Sequence, residues 1–158
     1  MISENELNLT AEDYDKAFTE VSFLLHMFIE TITVFVGRST PSLAVAAGRK
    51  MAVNLPVYLT DNRPETVIDE LVRVFTAQEM ELSGEFDGRE AAIIINQCPI
   101  GSVCKNRGME IDGQTCQMFH YYIAGIVAEL TGMPVRPRTV LTGEQCVFNL
   151  AFSGLKRG

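Results

Sequence analysis

Apolar side chains in the first half of the chain recur at intervals of three and four residues, which is the period of an amphipathic helix. The first such run comprises Tyr14, Phe18, Val21, Leu25, Phe28 and Ile32. Thr10, with Asp13 three residues later, has the arrangement of a helix N-cap, and Gly37 marks the predicted end. A second helix is predicted from the segment STP, with Pro41 in its first turn, and a third over NRPETVIDELVRVFTAQ.

The second half changes to the alternating pattern of strands. The segment EMELSGEFDGREAAIIINQ predicts a hairpin with a type I′ turn at Asp87-Gly88. After a loop that contains cysteines, a helix is predicted from Asp112 or Thr115 to Leu130. Two further strands, VRPRTVL and QCVFNLAF, end the chain.

This order of elements, αααββαββ, predicts an α+β fold in which N-terminal helices pack on a small antiparallel sheet. No linker rich in Pro, Gly or Ser divides the chain, so residues 1–158 are predicted to form a single domain. Its helical half is 1–78, and 79–158 holds the sheet, the cysteine loop and the last helix.

Composition narrows the class of protein. The chain is 47% hydrophobic and 21% charged, as in an ordinary globular domain, and its net charge is −7. That charge argues against a nucleic-acid partner and against docking on an anionic membrane. The N-terminus is acidic and polar, unlike a targeting signal, and the apolar stretch 21–37 contains His26 and Glu30. We therefore expect that stretch to be a buried helix without membrane insertion, and a cytoplasmic protein.

The segment CPIGSVCKNRGMEIDGQTCQMFH, residues 98–120, contains three of the four cysteines and one of the two histidines. The candidate metal ligands are Cys98, Cys104, Cys116, Cys146 and His120. Thiolates and imidazole are the ligands that zinc and iron–sulfur clusters select. We expect zinc, with an iron–sulfur cluster as the alternative, held between the loop, the last helix and the last strand.

The same cysteines allow two other interpretations. Cys98 and Cys104 lie in a predicted loop close to Lys105 and Arg107, so an exposed, redox-active pair is one of them. Simple core filling is the other, because cysteine is among the most frequently buried residue types. The sequence leaves these alternatives open.

A second candidate site is an apolar pocket. The first helix is hydrophobic on nearly every side, which is more than one face against a small sheet requires. A partner copy, a bound ligand or both would cover the excess. The candidate ligand-binding residues are His26, Phe28, Glu30, Phe119 and Tyr122. His26 and Glu30 either orient a polar group of the ligand or pair with each other, and the aromatic residues form either core or pocket wall.

The second half also resembles a known family, the 4-vinyl reductase or hydrocarbon-binding domain. The resemblance is carried by Cys116 opening a helix, by YYIAGIVAELTGMPV, and by TGEQCVFNLAF with Gly143, Cys146 and Phe148. The interval from glycine to cysteine is one residue shorter than in the family pattern. A further cysteine of the family would fall near Thr139 and is absent.

The resemblance implies a fold akin to the small subunits of the vesicle-tethering TRAPP complex, dimers paired through helices, and small hydrophobic ligands. The chain itself contains no G-x-S-x-G, P-loop, dinucleotide-binding glycine motif or H-E-x-x-H. We therefore predict a homodimeric sensor or carrier that binds a small hydrophobic ligand and a metal. The alternatives are a metal-dependent reductase or hydrolase acting on a hydrophobic substrate, and a scaffold subunit.

Overall fold

The first half of the chain folds into three helices. In the computed structural model, which describes residues 8–78 and 80–155, these are α1 (Ala11–Val36), α2 (Thr40–Ala52) and α3 (Pro64–Ala77). The predicted cap of α1 is present: the Thr10 hydroxyl accepts from the Asp13 backbone N–H, and the Asp13 carboxylate accepts from the Thr10 backbone N–H at 2.8 Å. A 3-10 turn, Gly37–Ser39, separates α1 from α2.

The second half forms one sheet and two helices. These elements are β1 (Glu81–Phe86), β2 (Glu90–Asn96), α4 (Pro99–Arg107), α5 (Gln114–Thr131), β3 (Val135–Leu141) and β4 (Gln145–Phe152). All neighbouring strands are antiparallel, in the order β1-β2-β4-β3. The prediction of an α+β fold with N-terminal helices and an antiparallel sheet is confirmed, and β3 and β4 coincide with the predicted segments.

One predicted loop is a helix. The segment between β2 and the last helix forms α4, with Pro99 at its first position and Gly108 ending it in the left-handed conformation at φ 65°. Proline at a first helical position loses no hydrogen bond, which is why PIGSV can open a helix as well as a loop. The element order therefore has one helix more than predicted.

Two local predictions also differ. The N-cap of α5 is Gly113, and neither Asp112 nor Thr115 takes that position. In the β1–β2 turn only Gly88 has a positive φ, whereas a type I′ turn requires positive φ at both central residues. The Asp87 carboxylate instead accepts hydrogen bonds from the backbone N–H groups of Arg89 and Glu90, two and three residues later, at 2.8 and 2.9 Å.

The core lies between one face of the sheet and helices α3 and α5. Alternate strand residues turn their side chains to this face: Leu82, Ala91, Ile93, Ile95, Cys146, Phe148 and Leu150. From the helices, Val67 and Leu71 of α3 and Ile123 and Val127 of α5 pack against them. Alternate residues of each strand lie on one face of the sheet, and residues three or four apart lie on one face of a helix, so both patterns of apolar residues contribute to this one core layer.

Helix α2 lies directly against α5 because two glycines remove the side chains between them. A Cβ atom added at Gly48 would lie 2.0 Å from the Tyr122 carbonyl oxygen. A Cβ added at Gly125 would lie 2.2 Å from the Val45 carbonyl oxygen. Both separations are far below van der Waals contact, so this approach of the two helices requires glycine at both positions.

The expectation that the apolar stretch 21–37 is a buried helix is wrong for the described chain. Within α1 only Ser22 and Ile29 are buried, whereas Val34 and Phe35 are 82% and 83% exposed. One described helical stretch, Ala11–Ala52, has the length and apolar character of a bilayer-crossing helix, with mean hydropathy 1.5 and 11% of that window buried. Targeting sequences and core helices of soluble proteins meet the same criterion.

We expect Gly48→Ala and Gly125→Ala each to lower the free energy of unfolding by about 3 kcal/mol, because a backbone carbonyl cannot move away as a flexible side chain can. Urea denaturation measures the change. Gly101→Ala in α4 is the matched control, since its added Cβ would lie 3.8 Å from the Cys98 Cβ atom, an ordinary contact. Equal stabilities of the three variants would show that α2 and α5 do not approach so closely.

Candidate functional site

A small cavity lies between α4, α5 and the turn that joins β3 to β4. Four of the five predicted metal ligands line it: Cys98, Cys116, His120 and Cys146. The fifth, Cys104, lies behind it, with its Sγ atom 3.9 Å from that of Cys116. The cavity measures about 10 Å³, which leaves room for about one water molecule. The structure thus brings together residues that are up to 48 positions apart in the chain.

His120 is held by contacts on three sides. Its Nε2 atom lies 3.3 Å from the Cys146 Sγ atom, and its Nδ1 atom lies 3.1 Å from the Thr139 hydroxyl oxygen. The ring stacks on Phe148 with centroids 4.2 Å apart. Burial lowers the pKa of His120 from 6.5 to about 4, so the imidazole is neutral at pH 7.

Thr139 is a site residue that the sequence analysis did not select. It lies on β3 and orients the imidazole through its hydroxyl group. The family resemblance places a further cysteine near this position. That correspondence is the signal that would have identified it.

The four cysteines lie in a buried environment. All four are free and buried, and burial raises the pKa of Cys104 and of Cys146 to about 12. The interpretation of Cys98 and Cys104 as an exposed redox pair is therefore wrong: Cys98 is 8% exposed and Cys104 is 0% exposed within α4. Arg107, expected to favour a thiolate, instead contacts the Thr19 carbonyl oxygen of α1.

Among the described residues, one sulfur–sulfur distance agrees with metal ligation, but the arrangement of the candidate ligands does not. Two sulfurs that share a zinc ion at about 2.3 Å each would lie about 3.8 Å apart, close to the Cys104–Cys116 separation of 3.9 Å. Within residues 8–78 and 80–155, however, no group of three or more His, Cys, Asp or Glu side chains is arranged to hold a metal ion. Zinc and an iron–sulfur cluster both stay predictions.

An apolar groove lies on the other side of α5, between that helix, α1 and α2. Its volume is about 280 Å³. Its lining is Leu25, Phe28, Ile29, Ile32, Ala44, Ala47, Ile100, Thr115, Met118, Phe119 and Tyr122. Ile100 and Phe119 also line the cysteine cavity, so the two sites share a wall.

Three of the five predicted ligand-binding residues line the groove: Phe28, Phe119 and Tyr122. Burial raises the pKa of Tyr122, so its hydroxyl group stays protonated. The other two, His26 and Glu30, lie outside the groove lining, and their Nε2 and Oε1 atoms are 3.5 Å apart on α1. The structure thus pairs these two with each other.

Two wall residues of α5, Thr115 and Met118, were not selected from the sequence. With Phe119 and Tyr122 they follow the spacing i, i+3, i+4, i+7, so they form one stripe of the helix. The spacing of these four residues is visible in the sequence. The helical face through Cys116 and His120 is apolar as well, so the sequence does not distinguish a groove wall from a core face. Only the position of α2 shows that this face lines a groove.

Comparison with known proteins identifies a fold relative. No protein-family model matches the chain, and no curated protein matches its sequence. Among solved structures, the chain is similar to the phenol-responsive sensory domain of the transcription activator PoxR, crystallised with phenol. The TM-score is 0.62 at 10% sequence identity, over 85% of this chain and 74% of that one. At this identity the likeness shows that the chain shares the fold of a small-ligand sensory domain.

The neutral state of His120 predicts a pH dependence of folding. Its folded-state pKa of about 4 lies below the ordinary 6.5, so its contribution to stability is present above pH 6.5 and is lost as the pH falls towards 4. Between pH 7 and pH 5 we expect the wild-type free energy of unfolding to fall by about 2 kcal/mol from this group.

Urea denaturation of the wild type and of His120→Gln at the two pH values measures this contribution. In His120→Gln, most of this decrease in the free energy of unfolding between pH 7 and pH 5 should be absent, whatever the stability of the variant at pH 7. His26→Gln, which removes the histidine outside the cavity, is the control and should retain it. A fall of equal size in His120→Gln and the wild type would rule out a buried neutral imidazole.

Proposed function

We propose that this chain is a sensor or carrier domain that binds a small hydrophobic ligand in the apolar groove. The observation that carries the proposal is the groove itself, a concave apolar site of about 280 Å³ between three helices. The fold shared with the PoxR sensory domain supports it, because that domain responds to phenol. A cytoplasmic location belongs to the same proposal and is supported by the four free cysteines.

The lining of the groove favours an uncharged ligand. Its polar side-chain groups are the hydroxyls of Thr115 and Tyr122, and neither carries charge at pH 7. A carboxylate or ammonium group entering such a wall would lose its hydration without gaining a partner. Phe119 and Tyr122, whose rings stack with centroids 6.4 Å apart, offer flat surfaces that suit an aromatic ligand.

We further propose membership of the 4-vinyl reductase family. The two signatures that carry the resemblance are distant in sequence, and both contribute to the same cavity through Cys116 and Cys146. A homodimer, which the resemblance also implies, is supported by the exposed apolar side chains of α1.

Metal binding is a second candidate function, favoured by the four soft ligands that line one cavity with a fifth beside it. A bound zinc ion would supply a structural cross-link between α4, α5 and β4. The thiols would have to lose their protons and the side chains would have to turn toward a common point. The residues of the described chain that line this cavity include no carboxylate, and its imidazole, His120, is in contact with Cys146 and Thr139.

Binding of naphthalene, followed by ligand-observed NMR, tests the groove. We expect naphthalene to bind and 2-naphthoate, which adds a carboxylate to the same rings, to bind at least about tenfold more weakly. Ala47→Phe fills the groove from α2 and should abolish binding. Ala46→Phe, on the same helix but outside the lining, is the matched control and should leave binding unchanged. Equal binding by both variants would place the ligand elsewhere.

Metal content tests the second candidate. Protein purified without oxygen and without an affinity metal should contain about one zinc per chain. Cys116→Ser should lose the metal and melt at a lower temperature, whereas Thr142→Ala, a change in the same cavity wall, should retain it. Iron and sulfide in a brown protein would indicate a cluster instead. Metal-free protein with four thiols that react only after denaturation would refute the metal hypothesis.

A further inference from the structure

The two edges of the sheet differ in how well they are protected against pairing with a further strand. β1 and β3 are the edge strands, and an edge strand carries backbone N–H and C=O groups that no neighbour uses. On β3 the Ser153 backbone N–H donates to the Pro134 carbonyl at 3.0 Å, so Arg136 and Arg138 bond to β4 and Pro137 faces outward. Because proline has no N–H to donate, the free edge of β3 is closed to a further strand.

The free edge of β1 contains neither proline nor a positive charge. At the hairpin the Asp87 backbone N–H donates to the Glu90 carbonyl at 3.1 Å, and hydrogen-bonded pairs alternate along an antiparallel ladder. Glu85 therefore bonds to β2, whereas the N–H and C=O groups of Gly84 and Phe86 point away from it. No turn or loop hydrogen bond of the described backbone uses these four groups. They are free to pair with an added strand.

A cleft lies beside this free edge, where α3 packs on the core side of β1. Its volume is about 370 Å³. Two of its side chains are apolar and three are carboxylates, and the full lining is Glu65, Ile68, Asp69, Gly84, Glu85 and Phe86. Gly84 lets α3 approach the strand, since a Cβ atom added there would lie 2.7 Å from the Ile68 Cγ2 atom. This cleft shares no residue with the cysteine cavity or the apolar groove.

The charge of the cleft favours a basic partner. Glu65, Asp69 and Glu85 are all exposed. Within the part of the chain that the structure describes, only Glu65 of these three has an ion-pair partner, the exposed Arg63 at 3.8 Å. Glu65 and Asp69 lie four residues apart on α3, a spacing at which like charges repel. A cation placed between them would relieve this repulsion.

The same charge disfavours a second copy of β1 at this edge. If two β1 strands paired with each other, the carboxylates of both clefts and both strands would be brought together. Like charges on facing strands are destabilising, and acidic residues are a common protection of edge strands against self-pairing. The carboxylates thus oppose pairing with another copy while they attract a segment of opposite charge.

An extended segment with basic residues at alternate positions fits both the edge and the cleft. An added strand would lie about 4.8 Å from β1, and every second side chain would turn toward α3. An arginine or lysine at such a position can pack its aliphatic stem on Ile68 and Phe86 and bring its charged group to Glu65 and Asp69. The apolar side chains and the carboxylates of the cleft would then both be used.

We propose that the free edge of β1 is a docking site for an extended basic segment of a partner protein. The segment adds a fifth strand to the four-stranded sheet and places arginine or lysine side chains in the acidic cleft. The docking does not depend on the proposed hydrophobic ligand, because the cleft is separate from the groove. A sensor or carrier domain acts through contact with another protein, and this edge supplies a surface for that contact.

Amide hydrogen exchange followed by NMR tests strand pairing at this edge. The probe is a blocked peptide of alternating arginine and valine, as long as β1. In the free protein the amides of Gly84 and Phe86 should exchange rapidly, whereas that of Glu85, which is bonded to β2, should be protected. Saturating peptide should slow exchange at Gly84 and Phe86 at least about tenfold.

Methylated peptides separate strand pairing from charge attraction. Two versions of the probe carry N-methyl groups on alternate backbone nitrogens, in the two possible phases, and both keep every arginine. In one phase the methyl groups lie on the side that faces β1 and block its hydrogen bonds, whereas in the other phase they face solvent. Only the second version should bind and protect Gly84.

Isothermal titration calorimetry of charge variants tests the cleft. Asp69→Lys should weaken binding of the unmodified peptide at least about tenfold, because it places a cation where the arginine would lie. Asp15→Lys is the matched control, since Asp15 is also an exposed helical aspartate and the change in net charge is the same. That variant should weaken binding less than about twofold, because screening limits the effect of distant charges.

Several outcomes would overturn this docking site. Equal weakening by Asp69→Lys and Asp15→Lys would show only a general attraction of the peptide to an acidic protein. Equal binding of both methylated peptides would exclude strand pairing. Protection of Gly84 without peptide, rising with protein concentration, would assign the edge to a second copy. Protection at every concentration would show that the chain itself already covers the edge.

Discussion

The contact between the backbones of α2 and α5 determines the position of both candidate sites. Gly48 and Gly125 let the two helices touch without side chains between them, so α2 lies flat along α5. The small residues Ala44 and Ala47 of α2 then form the floor of the groove, and Phe119 and Tyr122 of α5 form its wall. Because α2 packs on one side of α5, the opposite side of α5, which carries Cys116 and His120, faces the sheet. One close approach therefore sets the apolar groove and the cysteine cavity on two sides of one helix.

These two sites differ in how far each is formed before a metal ion or a ligand binds. The cysteine cavity has room for about one water molecule, its imidazole is neutral, and burial raises the pKa of Cys146 in its wall and of Cys104 behind it to about 12. In that state it behaves as core, stabilised by the contact of His120 with Cys146 and Thr139. Only a metal ion, which stabilises the deprotonated thiolates, would convert it into a functional site. The groove has its volume and apolar walls already in place, and it needs only a ligand.

Helix α1 is the element that the rest of the domain stabilises least. It has 26 residues and two buried side chains, so its helical state depends on its length, on the capping box at Thr10 and on few tertiary contacts. An apolar surface of this extent is unusual on a monomeric protein. The same helix also lines the groove, through Leu25, Phe28, Ile29 and Ile32.

The α+β class, the three N-terminal helices, the antiparallel strands and the limits of β3 and β4 could all be predicted from the sequence, because they depend on local periodicity and on glycine and proline. The sequence also selected the residues that gather around the cysteine cavity, since Cys116 and His120 share a helical face. The prediction of a loop at PIGSV, residues 99–103, was wrong, because proline and glycine occur at the start of helices as well as in loops. The exposure of α1, the contact of Thr139 with the imidazole and the place of Thr115 and Met118 in a groove wall could not be predicted from the sequence. Each of these depends on what packs against a surface, and apolar spacing along the chain is the same whether a surface meets the core, a ligand or a second helix.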